Sequence, residues 1–462
     1  MTNKLDPKLH SETQQFLDSL LCSETNWINP VLFYSHPDKI QHDGEYCYFA
    51  ANPSHTLKGS DLTLLEKRIN TCKTAHKTTP KISHNTGFAR GFTSGWAGIL
   101  QYPDSGTTEY EFHYYPWVLK IDNHSGEITL TGEPSDQALL LKDQLTKAQL
   151  TKAQSTKAQL TTNANLKNQD SKKQDSKKED PDTTLSCSAF NHHWNKQQYQ
   201  NAFNKVQEYL VAGDCYQINL THPAVASYTG QPSQVASTLF SETSPSFACY
   251  FEASDRTLLS LSPERLIKID SNGQMQAKPI KGTIKRSGNH DQDAIQQHTL
   301  INSTKDQAEN LMIVDLLRND LSHSAEPGSV KVDKLFELET HPYVHHLVST
   351  ISAQLEAHTT PVTALCHAFP GGSITGAPKK RAMEIIAELE AMPRSLYCGS
   401  FGYISDNGEL DFNILIRSLE FKDGKVWCWG GGGITVDSNM EDEYQESLTK
   451  TQKIREILES FK

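Results

Sequence analysis

Apolar and polar positions divide this chain into three stretches. In the first, short apolar runs at 46–51 and 96–102 alternate with turn residues, and 110–121 (YEFHYYPWVLKI) reads as strand broken at Pro116. From 188 onward the pattern is denser. Apolar runs predict strands at 215–220, 258–261, 400–404, 412–419 and 425–429, and longer patterned segments predict helices at 194–212, 303–317, 377–391 and 440–458. Strands and helices come in runs rather than strict alternation. That predicts an α+β fold, a layered β-sandwich core with helices on its outer faces, rather than a doubly wound parallel sheet.

Between these stretches, 138–186 repeats TKAQ at 146–149, 151–154 and 156–159, and QDSKK at 169–173 and 174–178. It has almost no aromatic or β-branched aliphatic residues to offset chain entropy, so a flexible insertion is predicted. The expected organisation is an N-terminal region 1–137, the insertion 138–186 and a C-terminal region 187–462. The insertion also explains why hydrophobic residues make up just 36% of the chain.

Charge and cysteine usage remove several function classes. The net charge is −11, from 44 basic and 55 acidic side chains, and no basic stripe carries interleaved aromatics, so no nucleic-acid partner is expected. No apolar run reaches the ~18–20 residues of a membrane span. The opening MTNKLDPKLHSETQQF has no hydrophobic signal core, and the nine cysteines are scattered without a CxxC pair. A reduced, cytoplasmic protein is the expectation. Neither GxGxxG nor a Walker motif occurs, so no nucleotide is implied.

Candidate chemistry is concentrated in the second half. Lys281 sits in PIKGT (279–283), framed by proline and glycine; it is a solvated loop charge, or a nucleophile if burial lowers its pKa. Glu309 opens the segment AENLMIVDLLRND, which reads equally as a buried helix with an acidic first turn. Glu443 and Glu446 fall on one helical face. They are a solvated helix start or, joined by a third glutamate, ligands for Mg²⁺, a hard ion satisfied by few carboxylates. The tract WGGGGIT (429–435) is either an anion cradle of bare backbone N–H groups or a bulge at a hairpin corner. GGSITGAPK (371–379) brings Ser373 and Thr375 to a helix opened through Pro378. Arg417 ends the apolar run FNILIR and needs an anion, for which a bidentate carboxylate clamp fits. Together these features suggest a small substrate with more than one carboxylate.

With these pieces in place, residues 188–462 closely resemble the chorismate-utilising family of anthranilate, isochorismate, salicylate and aminodeoxychorismate synthases. The matching blocks are GDCYQINLT (213–221), SLSPERL (260–266), PIKGT, AENLMIVDLLRNDL (308–321), VHHLVST (344–350), PGGSITGAPKKRAMEII (370–386), YCGSFGYI (397–404), DFNILIRS (411–418), GGGGITVDS (430–438) and EYQESLTK (443–450). The N-terminal region resembles the family weakly, through FARGFTSGWAGIL (88–100). Anthranilate synthases carry alanine where this chain has Lys281, and the aminodeoxychorismate-forming branch carries lysine. Isochorismate-forming members place a lysine base where this chain has Gln217. The resemblance therefore implies amination of chorismate at C4 through a covalent Lys281 adduct, with anthranilate formation as the alternative.

It further implies Mg²⁺ on Glu309, Glu443 and Glu446, and the enolpyruvyl carboxylate on Arg417, Tyr397 and the backbone of Gly431, Gly432 and Gly433. Ser373 and Thr375 would line the other end of the substrate. Glu264, in the SPE turn, is the candidate general acid. His346 matches the family's active-site histidine, with His345 beside it as the alternative. No glutaminase nucleophile elbow is present, so a separate glutamine amidotransferase subunit would supply ammonia. A separate pyridoxal-dependent lyase would use the product for p-aminobenzoate and folate synthesis.

Overall fold

Strands pair antiparallel throughout the computed structural model, which describes residues 27–35, 46–76, 91–123, 125–147, 184–341 and 344–462. They form one sheet of twelve strands and one of ten among the described residues, with helices packed outside, the predicted α+β sandwich. Val31, Ile99, Phe251, Phe401 and Leu415 fill the space between the sheets. Ser233–Thr243 and Met440–Glu459 cover the larger sheet through Leu239, Phe240, Ile454 and Leu458. Thr304–Ser322 and Pro361–Ala368 cover the smaller through Ile313, Leu317 and Leu365. Both sheets mix early and late strands: Val31–Tyr34 pairs with Phe247–Glu252, and Gly95–Leu100 with Ser400–Ser405. The regions on either side of the insertion thus share both sheets.

Among the described residues the chain changes sheet six times, and three of those crossings fall at strands that the sequence predicts. At Pro116 it passes from Tyr110–Tyr115 to Trp117–Asp122, the predicted break. Thr257–Ser262 belongs to the larger sheet and Arg265–Ile269 to the smaller. Leu410–Ile414 belongs to the smaller and Ser418–Lys422 to the larger. The single strand predicted at 412–419 is therefore two strands. Phe412, Ile414, Leu415, Ile416 and Leu419 keep both sides of the crossing apolar, so hydropathy does not show the change of sheet. Arg417 sits in that crossing, with φ +51°, and not at a strand end.

Two further expectations change. The strand predicted at 425–429 continues as Lys425–Ile434, so the glycine tract is strand rather than loop. Residues 136–147 are helical, and Ala138, Leu141 and Leu145 pack into the larger sheet's outer core. On the far side, Leu185 is buried and Ser186–Cys187 pairs with the end of Gln217–Thr229. The boundaries drawn at 138 and 186 thus fall within packed structure, while 148–183, with most of the repeats, lies outside the described residues. No described helix is long and apolar enough to cross a membrane.

Candidate active site

The crossings at 263–264 and 415–417 are bonded to each other. Leu261 N donates to Arg417 O at 3.0 Å, Ile414 N to Glu264 O at 3.0 Å, and Ser262 Oγ to Ile414 O at 2.6 Å. Glu264 and Arg417 are thereby held at the junction of the sheets. The pairing of Ser418–Lys422 with the glycine strand stops at Leu419 opposite Cys428. Beyond it the glycine strand keeps its partnership with Gln217–Thr229, and among the described residues no strand pairs with its other edge. That edge offers backbone N–H groups, as the anion-cradle reading requires.

Glu264 is buried and accepts a hydrogen bond from Ser373 Oγ at 2.8 Å. Burial pushes its carboxyl above the usual range, against the pull of Ser373, Lys281, Lys450 and Arg417. Arg417 has no side-chain hydrogen bond or ion pair among the described residues, and burial lowers its pKa with Glu264 the opposing charge. Lys281 lies in the strand Ile280–Lys285, where pairing with Val344–Gln354 is irregular between Ile280 and Thr283 and Gly282 adopts φ +83°. It too is unpaired among the described residues. Desolvation drives its ammonium below the ordinary lysine range, against the charges of Glu309, Glu264 and Glu446.

The strand alternation separates the two histidines. His345 is bonded to Thr340 and to Asp293 on the His290–Ile301 helix, at 2.9 and 3.1 Å. His346 is bonded through Nδ1 to Thr283 Oγ1 at 2.8 Å, two residues from Lys281.

The acidic helix Met440–Glu459 starts at Asn439, whose side chain accepts from Glu441 N and Asp442 N. A Cβ placed on Gly432 would lie 3.1 Å from Glu443 Oε2, 3.6 Å from Lys450 Nζ and 3.8 Å from Glu446 Oε1. Both glutamates thus converge over a bare glycine. Glu443 accepts from Ser438 Oγ at 2.7 Å, and burial raises its pKa. Glu309, beside Lys305 at 3.9 Å, is raised by burial as well. In Glu446 burial is outweighed by Lys450, at 2.6 Å, which holds the carboxyl low. Among the described residues no three His, Cys, Asp or Glu side chains are already gathered as a ligand set. The cradle over Gly432, where the carboxylates of Glu443 and Glu446 converge with no glycine side chain between them, nonetheless fits a hard divalent cation.

Other predicted residues fall into different places. Tyr397 is buried, stacked on Trp429 with centroids 5.5 Å apart and planes at 10°. Thr375 Oγ1 donates to Gly371 O at 3.1 Å, so it closes the Ser373 turn. Pro378 is the N-cap of Lys379–Leu389 rather than its first-turn residue. Gln217 is fully buried, its amide lacks a hydrogen-bond partner among the described residues, and it lies under Gly433. Sequence reasoning misses Lys450, although its i+4 spacing from Glu446 is a readable signal. A separate cavity of about 510 Å³, lined in part by Tyr34, Phe247 and Asp411, contains none of the predicted site residues.

Comparison with known proteins agrees with this geometry. Residues 29–456 match the chorismate binding enzyme family. Aminodeoxychorismate synthase component 1 of Klebsiella aerogenes is 48% identical over 273 residues, 59% of this chain and 60% of that protein. The Escherichia coli protein of the same name is 48% identical over 278 residues, 60% of this chain and 61% of its own. The match therefore spans about three fifths of the length of these curated relatives. Anthranilate synthase component I from Streptococcus pneumoniae superposes with a TM-score of 0.69 at 25% identity, covering 89% of this chain and 92% of that one. Its matched span and shared architecture make this chain a member of the chorismate binding enzyme family.

Proposed function

We propose that this chain aminates chorismate at C4, as component I of an aminodeoxychorismate synthase. The observation that carries the reading is Lys281, a buried amine whose pKa desolvation lowers, without a partner among the described residues and within the electrostatic reach of the Glu264 carboxyl that burial raises. The name of the relatives at 48% identity supports it. Arg417, Tyr397 and the open edge of the glycine strand would take the enolpyruvyl carboxylate. Glu309, Glu443 and Glu446 would hold Mg²⁺, which when bound neutralises and orients the ring carboxylate.

In its unprotonated form Lys281 Nζ attacks ring C2, both ring double bonds shift by one position, and the C4–O bond breaks. Glu264 gives its proton to the departing hydroxyl, which leaves as water. Ammonia then adds at C4, both double bonds shift back, the C2–N bond breaks to release the Lys281 amine, and the new C4 ammonium returns a proton to Glu264. The net change is hydroxyl for amine, with the enolpyruvyl group retained. His346 performs no step here, because the sequence stops before elimination. Ammonia would come from a glutamine amidotransferase subunit, in keeping with the word component in the relatives' name, and a separate lyase would complete p-aminobenzoate for folate synthesis. The seven described free cysteines suit a cytoplasmic setting.

The test is LC–MS of purified chain with chorismate, Mg²⁺ and an ammonium salt at mildly alkaline pH. A non-aromatic product with NH₂ in place of OH, turned into p-aminobenzoate by added lyase, is expected. Fluorescent anthranilate would assign the chain to the other branch, and unchanged chorismate would refute activity with free ammonia.

A further inference from the structure

Arg394 is fully buried, and four of its five N–H donors end on fixed acceptors. Two form a bidentate pair with Glu390, Nε to Oε2 at 2.8 Å and Nη2 to Oε1 at 2.7 Å. The others reach carbonyls of separate segments, Nη1 to Ile374 O at 2.9 Å and Nη2 to Asn219 O at 2.7 Å. The ring of Tyr102 lies 4.7 Å from the guanidinium. Glu390 Oε1 also accepts from Thr221 N and Thr221 Oγ1, at 2.9 and 2.8 Å.

These bonds converge on the turn next to the reacting groups. Ile374 O receives Asn219 Nδ2 at 3.0 Å in addition to Arg394, and Thr375 O receives Asn219 N at 3.0 Å. One peptide earlier, Ser373 Oγ donates to Glu264 Oε1 at 2.8 Å. A buried ion pair adds little net stability over packed apolar side chains. This one does something apolar residues cannot, fixing the carbonyls of two segments in the planar fork of one side chain.

We propose that Arg394 and Glu390 form a positioning unit that holds the 371–375 turn so that the Ser373 hydroxyl stays on Glu264. The inference rests on the function proposed for this site, in which Glu264 delivers the proton. It is tested by a double-mutant cycle between Arg394→Lys and Ser373→Ala, with turnover measured by LC–MS and folding by circular dichroism.

Each single variant is expected to lose about tenfold or more in kcat, with KM for chorismate within about twofold. The double variant is expected to fall no further than the weaker single one. Losses that multiply, or wild-type kcat in Arg394→Lys, would overturn the inference. If Arg394→Lys does not fold, Asn219→Ala, which removes one donor from Ile374 O and leaves the ion pair, takes its place in the cycle. Multiplying losses, or wild-type kcat in Asn219→Ala, would then overturn the inference in the same way. A wild-type chain that makes no aminated product overturns the functional reading itself, and the inference with it.

Discussion

Gly430 and Gly432 lie on the same face of one strand, yet alanine at each should have opposite consequences. A Cβ on Gly430 would sit 2.1 Å from Ser447 O, a main-chain atom of the acidic helix, far inside the 3.4 Å at which ordinary contact begins. Main chain cannot rotate away, so the helix must lift from the sheet, and Ile454 and Leu458 with it. Overpacking of this kind costs about 3 kcal/mol or more. At Gly432 the Cβ meets Glu443 Oε2 at 3.1 Å, the movable end of a side chain. Less freedom in the unfolded chain returns roughly 0.4–1 kcal/mol, so Gly432→Ala should stay within about 1 kcal/mol of wild type. The methyl would nonetheless occupy the cradle between Glu443 and Glu446. A loss of kcat/KM of about tenfold or more follows, about 1.4 kcal/mol of transition-state stabilisation. Urea denaturation and chorismate turnover across a Mg²⁺ titration separate the two effects. Wild-type stability in Gly430→Ala, or full activity in Gly432→Ala, would refute the reasoning.

Lys281→Ala should abolish amination while chorismate still quenches tryptophan fluorescence in the presence of Mg²⁺; amination at the wild-type rate would exclude the covalent adduct. His222, sandwiched between Trp194 and Tyr444, is lowered by burial to about 4 from an ordinary 6.5. The unfolded chain therefore takes a proton that the folded one refuses, and stability falls as pH drops from 6.5 to 4, by up to roughly 3 kcal/mol. His222→Gln should flatten the change in urea midpoint between pH 7 and pH 5, and an unchanged slope would count against the assignment. Deleting 140–184 takes Leu141 and Leu145 from the core and should cost several kcal/mol, about 1.5–3 for each side chain. Deleting 148–183 keeps both, and equal midpoints for the two deletions would show that the 136–147 helix adds nothing.

The sequence by itself determined the fold class, most strands and helices of the second half, and the side chains proposed to react, because these reside in local patterns. Apolar runs mark buried strands, Asn439 and the acids after it mark a helix start, and PIKGT marks a lysine between two backbone constraints. Tertiary structure alone decided what those groups face. The sheet crossings at 263–264 and 415–417 bring Glu264 and Arg417 together, and hydropathy does not show that the chain changes sheet there, since strands buried in either sheet are equally apolar. The choice between His345 and His346 depended on side-chain partners far away in sequence, Asp293 and Thr283. The glycine tract reads as a loop until a helix 10 residues on is seen resting on Gly430 and closing over Gly432. Arg394 has Glu390 four residues before it as a local signal, but the carbonyls of Asn219 and Ile374 become its partners only when distant segments pack. Local chemistry is written in neighbouring residues, whereas desolvation, which prepares Lys281 and Glu264, belongs to the assembled fold.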